Sequence, residues 1–189
     1  TSSVGLAEVI GIGKASVTLD DGHDADLLVI AGQNPGTNHP RMLSALEIAK
    51  KNGAKIIAIN PLKEAGLRRF KNPQTPRGMI GPGTDLEDMH LPVRINGDLA
   101  LFQAFGHLLL EWGAVDHEFV RDHTTGFDLW KQHIETLDWA EVEATTGLTR
   151  AVITDAARML RDSSATVFCW AMGITQHHNA VNTVKEITN

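Results

Sequence analysis

Two short apolar runs with a helical pattern between them constrain the fold of this chain more than any other feature of its sequence. The runs are DLLVIA at 26–31 and AKIIAI at 54–59. Because neither run alternates with polar residues, both predict strands that are covered on both faces, as in a parallel sheet. The intervening segment has its apolar residues on one side and ends at Gly53, which predicts a helix. Strand, helix and strand with tight connections predict a right-handed βαβ unit.

The rest of the chain adds helices and two more predicted strands to this unit. LPVRI at 91–95 predicts a third strand, and ATVFCWAMG, which ends at Gly173, predicts a fourth. Helices are predicted after Gly97, over 116–122, 127–135 and 139–144, from about Thr149, and within 178–188. We therefore predict one domain over residues 1–189, a three-layer Rossmann-like α/β fold with a mainly parallel sheet, in which the helical stretch 97–162 packs on one face.

The segment 63–90 is rich in Pro and Gly and shows little periodicity. A stretch of this length without elements is uncommon inside a compact domain. It predicts a functional or mobile loop.

Composition excludes several classes of partner. The chain has 189 residues, 42% of them hydrophobic, and a net charge of -6, which suits one sizeable core and argues against nucleic acid as a partner. No apolar run approaches the roughly 18 residues that a membrane span needs, so no membrane partner and a cytoplasmic location are expected. The single cysteine, Cys169, lies within an apolar strand, which predicts a buried, inert thiol.

Polar side chains follow three of the predicted strands at the points where these strands end. They are Gln33 and Asn34, then Asn60 and Lys63, then Thr175, Gln176, His177 and His178. Because the carboxyl ends of parallel strands meet at one edge of a sheet, these side chains should face one site. Amides and helix-start N–H groups suit an anionic ligand such as a pyrophosphate joined to a nucleobase. Asp98 could accept hydrogen bonds from a guanine edge, although a helix N-terminus also favours negative charge by itself.

Simpler interpretations stand beside several of these motifs. GIGK at 11–14 has no preceding strand and no third glycine, so it is not taken as a dinucleotide fingerprint. The adjacent His177 and His178 point apart and lack further ligands at metal spacing, so no metal site is predicted there. His107 is expected to be a core histidine. For Asn60-Pro61, plain turn chemistry is as good an explanation as ligand binding.

Three segments of the chain together resemble a known family. They are DADLLVIAGQNPGTNHPRMLSALEIAKKNGAKIIAINP, LPVRINGDLALFQAFGHLLLEWGAVDHEFVRDHTTGF and WAMGITQHHNAV. In this order they resemble the molybdopterin oxidoreductases of the dimethyl sulfoxide reductase type, and most of all the formate-dehydrogenase-like alpha subunits. The resemblance implies a Rossmann-like domain that helps to hold a molybdopterin guanine dinucleotide (MGD) carrying molybdenum or tungsten.

The resemblance also implies which residues contact this cofactor. The residues implied to lie along the dinucleotide are Gly32, Gln33, Asn34, Pro35 and Asn38. Those implied to meet its guanosine end are Asn60, Pro61, Leu62 and Lys63, with the help of Asn96, Gly97 and Asp98. Those implied to approach the pterin are Met172, Gly173 and Gln176. The chain departs from the pattern in two places. Many relatives have Asp-Pro-Arg where this chain has NPLK, and the segment between Phe70 and His90 is longer than the usual connection.

By the same resemblance the chain would be a fragment of a molybdenum or tungsten oxidoreductase that acts on formate or a similarly small molecule. The Cys or selenocysteine that ligates the metal, and any iron–sulfur cluster, would lie upstream of Thr1. The chain alone is therefore expected to be inactive, and its partners would be the remaining domains. Two alternatives stay open: a non-catalytic nucleotide-binding domain, such as the middle domain of a thiamine-diphosphate enzyme, and a scaffold whose loops bind nothing.

Overall fold

The computed structural model of the chain describes the backbone of residues 1–189 and the side chains of all of them except Arg77. One sheet contains β1 (Leu27–Ala31), β2 (Lys55–Ile59), β3 (Met89–Leu91) and β4 (Thr166–Trp170). The strand order is β3-β2-β1-β4, and every neighbouring pair is parallel. The predicted α/β fold with a parallel sheet is confirmed.

Helices surround this sheet. In chain order they are α1 (Ser2–Ile10), α2 (Leu19–Asp24), α3 (Pro35–Asn38), α4 (Pro40–Lys51), α5 (Ala65–Arg68), α6 (Pro76–Ile80), α7 (Asp98–Glu111), α8 (His117–His123), α9 (Phe127–Glu135), α10 (Trp139–Thr146), α11 (Arg150–Arg161), α12 (Met172–Thr175) and α13 (Ala180–Thr188). The sequence analysis did not predict α1 and α2. No helix in the described part of the chain has the length and hydropathy that a bilayer-spanning segment needs.

Local sequence signals explain where several helices begin and end. Helix α4 starts with Pro40, whose missing N–H costs nothing in a first turn, and ends just before Gly53, which has a φ of 102°. Helix α11 is capped by Thr149, whose side chain accepts a hydrogen bond from the Val152 backbone N–H. Asp138 caps α10 through the Ala140 backbone N–H in a similar way.

Each face of the sheet carries its own core. On the first face, Val29 and Ile57 pack in one cluster with residues of α7, α11 and α13, among them Phe105, Ile153 and Val184. On the second face, the strands pack against α4 and the segment that includes α5; the cluster there contains Leu28, Ile56, Leu43, Leu67 and Leu86. Within residues 97–162, helices α7, α10 and α11 therefore contribute to the core on the first face, as predicted, whereas α8 buries no residue and α9 contributes none to this cluster.

The placement of the connections creates a crevice at one edge of the sheet. The chain passes from β1 through β2 to β3 over the second face, and then returns over the first face to β4 on the other side of β1. The direction of the connections thus reverses between β1 and β4. In an open α/β sheet, the carboxyl ends of the strands at such a reversal are where ligands bind.

Two predicted strand boundaries were wrong. The third strand covers Met89–Leu91 rather than 91–95, because Pro92 cannot donate to a ladder and the Val93 N–H turns back to the Leu91 carbonyl at 2.8 Å. The fourth strand ends at Trp170 rather than Gly173. The backbone leaves the sheet there because helix α12 begins two residues later.

The segment 63–90 contains α5, α6 and β3, so the prediction that it has no regular structure was wrong. A buried carboxylate holds this segment on α4: Glu47 accepts hydrogen bonds from Asn72 Nδ2 at 2.9 Å and from Thr84 Oγ1 at 3.0 Å. The Asn72 bond leads the causes that lower the pKa of Glu47, against the opposing effect of burial. Phe70 also pairs with Thr84 through backbone hydrogen bonds in both directions at 2.8 Å.

Cys169 lies on β4, the edge strand next to β1, and it is half-buried rather than buried. The expectation of full burial was therefore wrong. Burial still raises the pKa of its thiol, which keeps the less reactive protonated form dominant near neutral pH.

Candidate functional site

A cavity of about 790 Å³ opens at the carboxyl edge of the sheet. Most of the residues predicted to bind the cofactor line it, namely Gly32, Gln33, Asn34, Asn38, Asn60, Pro61, Asp98, Met172, Gly173 and Gln176. They come from the segments that follow β1, β2 and β4 and from the start of α7. The structure thus brings together side chains that are far apart in the sequence, and their roles in binding stay a prediction.

The other predicted residues lie beside the cavity without lining it. Each of them, Pro35, Leu62, Lys63, Asn96 and Gly97, is adjacent in sequence to a lining residue. Lys63 is exposed. Among the side chains that the structure describes, no Lys or Arg lines the cavity. Its hydrogen-bonding groups are amides, carboxylates, imidazoles and backbone atoms.

Two glycines hold the ends of β1 and β4 against each other. The Gly173 backbone N–H donates to the Gly32 carbonyl at 3.0 Å. A Cβ atom on Gly173 would lie 2.6 Å from Gly32 Cα, and one on Gly32 would lie 2.7 Å from the Ile174 nitrogen. Gly32 also has a φ of 57°, in the left-handed region that glycine enters without a steric cost. Both positions therefore require glycine for this close approach.

Asn34 and Asn60 are bound to one carboxylate. Asn60 Nδ2 donates to Glu64 Oε1 at 3.1 Å, and Asn34 Nδ2 donates to Glu64 Oε2. Asn34 also caps α3, since its Oδ1 accepts a hydrogen bond from the Thr37 backbone N–H at 3.2 Å. Glu64, which lines the cavity, was missed by the sequence analysis. Its position four residues after Asn60, near the end of β2, was the signal that could have identified it.

Gln33 is buried and has one amide atom without a partner. The side chain is 8% exposed, and its Nε2 lies 3.3 Å from His39 Nδ1 and 3.2 Å from Met42 Sδ. Within the described residues, its Oε1 is buried without a hydrogen-bond partner. Buried polar atoms are normally paired, so this amide has unused bonding capacity at the wall of the cavity.

Asp98, at the start of α7, is the most deeply buried carboxylate at the cavity. It is 3% exposed, and burial raises its pKa to about 6 although the nearby His177 opposes this shift. His177 Nδ1 lies 3.5 Å from Asp98 Oδ2, and the Asn96 backbone N–H donates to His177 Nε2 at 3.4 Å. His177 Nδ1 makes no hydrogen bond among the described groups, so its contact with this carboxylate is at ion-pair distance only. His177 also lines the cavity and was not among the predicted cofactor contacts.

Two apolar side chains at the cavity are exposed. Ile95 is 78% exposed and Met172 is 60% exposed, and both line the cavity. Apolar groups with this exposure are suited to cover the face of a planar ring. The sequence analysis did not identify Ile95 as a site residue, because it assigned LPVRI at 91–95 to a strand.

The arrangement can bind a polar ligand through side-chain and backbone groups. Within the described residues, no group of three or more His, Cys, Asp or Glu side chains could hold a metal ion. The cavity offers acceptors at Asp98 and Glu64 and backbone donors near the end of β1. Within the described residues, the N–H groups of Gln33 and Asn34 make no backbone or side-chain hydrogen bond.

The fold and the cavity define a doubly wound α/β domain with a crevice at its topological switch point. The family model described as molybdopterin oxidoreductase matches residues 14–189. The chain belongs to this family, as the sequence resemblance implied. This match favours the molybdopterin interpretation over the alternative of a thiamine-diphosphate-enzyme domain.

The chain is also similar to several curated proteins. An uncharacterized oxidoreductase of Mycobacterium tuberculosis is 51% identical over 195 residues, which cover 100% of this chain and 25% of the relative. Protein YdeP of Escherichia coli is 41% identical over 199 residues, covering 100% and 26%. Formate dehydrogenase H of Escherichia coli is 31% identical over 188 residues, covering 100% and 24%. The chain therefore spans about a quarter of the length of these curated relatives.

A solved structure supports the fold independently. Acetylene hydratase from Pelobacter acetylenicus matches 98% of this chain and 23% of its own with a TM-score of 0.78 at 21% sequence identity. At this identity the match concerns the fold alone.

Proposed function

We propose that this chain holds the guanosine diphosphate end of molybdopterin guanine dinucleotide in a molybdenum- or tungsten-containing oxidoreductase. The observation that carries the proposal is the convergence of the segments after β1, β2 and β4 and the start of α7 on one cavity at the carboxyl edge of the sheet. A long ligand with several kinds of hydrogen-bonding group needs such a composite site. Membership of the molybdopterin family supports this choice of ligand.

The cavity fits the guanine base through Asp98. The Watson–Crick edge of guanine presents two adjacent N–H donors, and a carboxylate accepts both. Asp98 is 3% exposed and lines the cavity, and none of the hydrogen bonds between described side chains ends on its carboxylate, so a ligand with two N–H donors would meet an acceptor there. Ile95 and Met172 would cover the faces of a planar ring.

The pyrophosphate fits the turn after β1. The Gln33 and Asn34 N–H groups are free of protein hydrogen bonds among the described residues, and successive backbone N–H groups in a turn bind anions. The close contact of Gly32 with Gly173 keeps side chains out of this turn, so a phosphate can approach the backbone.

The redox chemistry belongs to the cofactor rather than to this chain. When bound, the metal–pterin group would supply two-electron chemistry on a small substrate, and the formate dehydrogenase relatives suggest formate. The residues of this chain would bind and orient the dinucleotide. The chain alone is expected to be inactive, the other domains of a longer oxidoreductase would be its partners, and a cytoplasmic location stays a prediction.

Calorimetric titration of the 189-residue chain with GDP, and with ADP for comparison, tests the proposal. We expect GDP to bind and ADP to bind at least about tenfold more weakly, because adenine presents an acceptor where guanine presents a donor. Asp98→Asn should remove most of this preference, whereas Asp155→Asn, on the exposed side of α11, should leave it unchanged. Failure of the wild-type chain to bind GDP would contradict the assignment of this cavity.

A second experiment addresses the complete oxidoreductase. Metal and pterin analysis of the full-length protein, purified anaerobically after cofactor-replete expression, should find both molybdopterin and molybdenum or tungsten. A protein that lacks both would refute the oxidoreductase assignment.

A further inference from the structure

Glu64 has an unusual position at the cavity. It precedes α5 as its N-cap residue, close to the end of β2, and its side chain lines the cavity. Its two carboxylate oxygens accept hydrogen bonds from different strand ends, Oε2 from Asn34 after β1 and Oε1 from Asn60 after β2. The carboxylate is therefore held in a fixed orientation between these two strands.

The two amides that hold Glu64 also accept hydrogen bonds from the backbone. Asn34 Oδ1 accepts from the Thr37 backbone N–H at 3.2 Å, and Asn60 Oδ1 lies 3.5 Å from the Leu62 backbone nitrogen. Each amide thus uses one N–H group and one oxygen lone pair within the protein. Asn34 and Asn60 therefore support Glu64, and their own predicted contacts with the cofactor stay a prediction.

The carboxylate itself retains bonding capacity. An ionised carboxylate can accept about four hydrogen bonds, and Glu64 accepts two from the described groups. None of the ion pairs among the described residues includes Glu64, so its negative charge is not neutralised by Lys or Arg. A phosphate at this wall would be repelled. A neutral group with O–H or N–H donors would instead satisfy the remaining lone pairs.

The location of Glu64 in the fold indicates which group of the ligand would donate hydrogen bonds to its carboxylate. In dinucleotide-binding α/β domains, an acidic side chain at the end of the second strand binds ribose hydroxyls. In this chain Asn60 follows the last residue of β2, and Glu64, four residues later, places its carboxylate within hydrogen-bonding distance of the Asn60 side chain. We infer that Glu64 binds the ribose 2′- and 3′-hydroxyls of the bound nucleotide and so selects ribonucleotides over deoxyribonucleotides. This inference rests on the proposed function, since it assigns the ribose of the same ligand.

Calorimetric titration of the chain with GDP, 2′-deoxy-GDP and 3′-deoxy-GDP tests the inference. The wild type should bind GDP at least about tenfold more tightly than either deoxy analogue, because each analogue lacks one hydrogen bond to a charged acceptor. Glu64→Ala should bind all three with nearly equal affinity. The ratio of ribo to deoxy affinity is the decisive quantity, since a disturbance of Asn34 or Asn60 would weaken all three ligands together.

Two further variants control for side effects. Glu64→Gln keeps the shape of the side chain and should lower the ratio even if the alanine variant folds poorly. Glu111→Ala removes a half-exposed carboxylate that lies outside the cavity, and it should keep the wild-type ratio.

The outcomes separate this inference from the proposed function. Equal binding of GDP and its deoxy analogues by the wild type, or an unchanged ratio in both Glu64 variants, would overturn the ribose assignment while GDP binding itself stood. Absence of GDP binding to the wild type would overturn both.

Discussion

The contact between Gly32 and Gly173 gives the sharpest quantitative prediction, because both residues approach each other through backbone atoms. In Gly173→Ala the new Cβ would lie 2.6 Å from Gly32 Cα and 2.6 Å from its carbonyl oxygen. Backbone atoms cannot move aside as a flexible side chain can. The end of β1 and the start of α12 must therefore separate, which should cost about 1–3 kcal/mol of folding free energy, as for other overpacked sites.

Gly32→Ala should cost more, because a second effect adds to the first. The new Cβ would lie 2.7 Å from the Ile174 nitrogen, and the φ of 57° places alanine in the left-handed region. The conformational cost is about 1–2 kcal/mol, so the total should be about 2–5 kcal/mol. Gly22→Ala is the matched control: nothing lies within 4 Å of its Cβ, and it sits inside helix α2. This change should stabilise the chain by up to about 1 kcal/mol.

Urea unfolding at equilibrium measures these free energies. We expect the order of stability to be Gly22→Ala, wild type, Gly173→Ala and Gly32→Ala. If Gly173→Ala unfolds within about 0.5 kcal/mol of the wild type, the close contact does not constrain this part of the fold. If Gly32→Ala and Gly173→Ala are equally stable, the backbone conformation of Gly32 adds no cost of its own.

Three other predictions concern the buried side chains of Asp98 and Glu47 and the half-buried side chain of Cys169. Because burial raises the pKa of Asp98 from an ordinary value of about 3.9 to about 6, its stabilising effect is complete below about pH 4 and is lost as the pH rises through 6. Urea unfolding should therefore show Asp98→Asn gaining about 2–3 kcal/mol relative to the wild type between about pH 4 and pH 7.5, and a constant difference would contradict the burial argument. Glu47→Ala leaves two hydrogen-bond donors unpaired, so it should cost about 2–3 kcal/mol and speed tryptic cleavage after Lys71; unchanged proteolysis would count against this anchor. Cys169 should react with iodoacetamide about tenfold more slowly in the folded chain than in urea at about pH 7.5, and equal rates would show that burial does not protect the thiol.

The fold could be predicted from the sequence where the burial of an element gives it a simple pattern of apolar residues. The runs at β1 and β2 are apolar throughout because both faces of these strands are covered, and α4 shows one apolar side because only one side faces the sheet. The third strand was misplaced because its three residues, from Met89 to Leu91, are too few to show a period. Tertiary hydrogen bonds, and not local pattern, define its position.

The structure of the segment 63–90 also could not be predicted from local sequence. Its sequence resembles a loop because the interaction that orders it is long-range: Glu47 lies on α4, 25 residues before Asn72 and 37 residues before Thr84. No local window contains both partners. A buried carboxylate on a predicted amphipathic helix was the available signal, but Glu47 could equally have belonged to the solvated side of α4.

For the candidate site, the sequence indicated the edge of the sheet at which the cavity lies but not the hydrogen bonds within it. Strand ends and polar residue types were enough to select Asn34, Asn60 and Asp98, because the topology of a parallel sheet brings these positions together. The network that makes Glu64 the shared acceptor depends on side-chain geometry across 30 residues of sequence. For that reason the prediction included Asn34 and Asn60 and omitted the carboxylate that they support.

The charges around the cavity explain how an acidic chain could hold an anionic dinucleotide. Both carboxylates at the cavity, Asp98 and Glu64, have neutral hydrogen-bond partners or an imidazole beside them, and no Lys or Arg lines the cavity among the described residues. Their negative charges would repel phosphate groups, so the pyrophosphate must lie away from them, at the backbone N–H groups after β1. The N–H groups of the base and the hydroxyl groups of the ribose would then donate hydrogen bonds to the two carboxylates. If the cavity binds the dinucleotide as proposed, this division into an acceptor region and a backbone-donor region would fix the direction of the ligand without a cation.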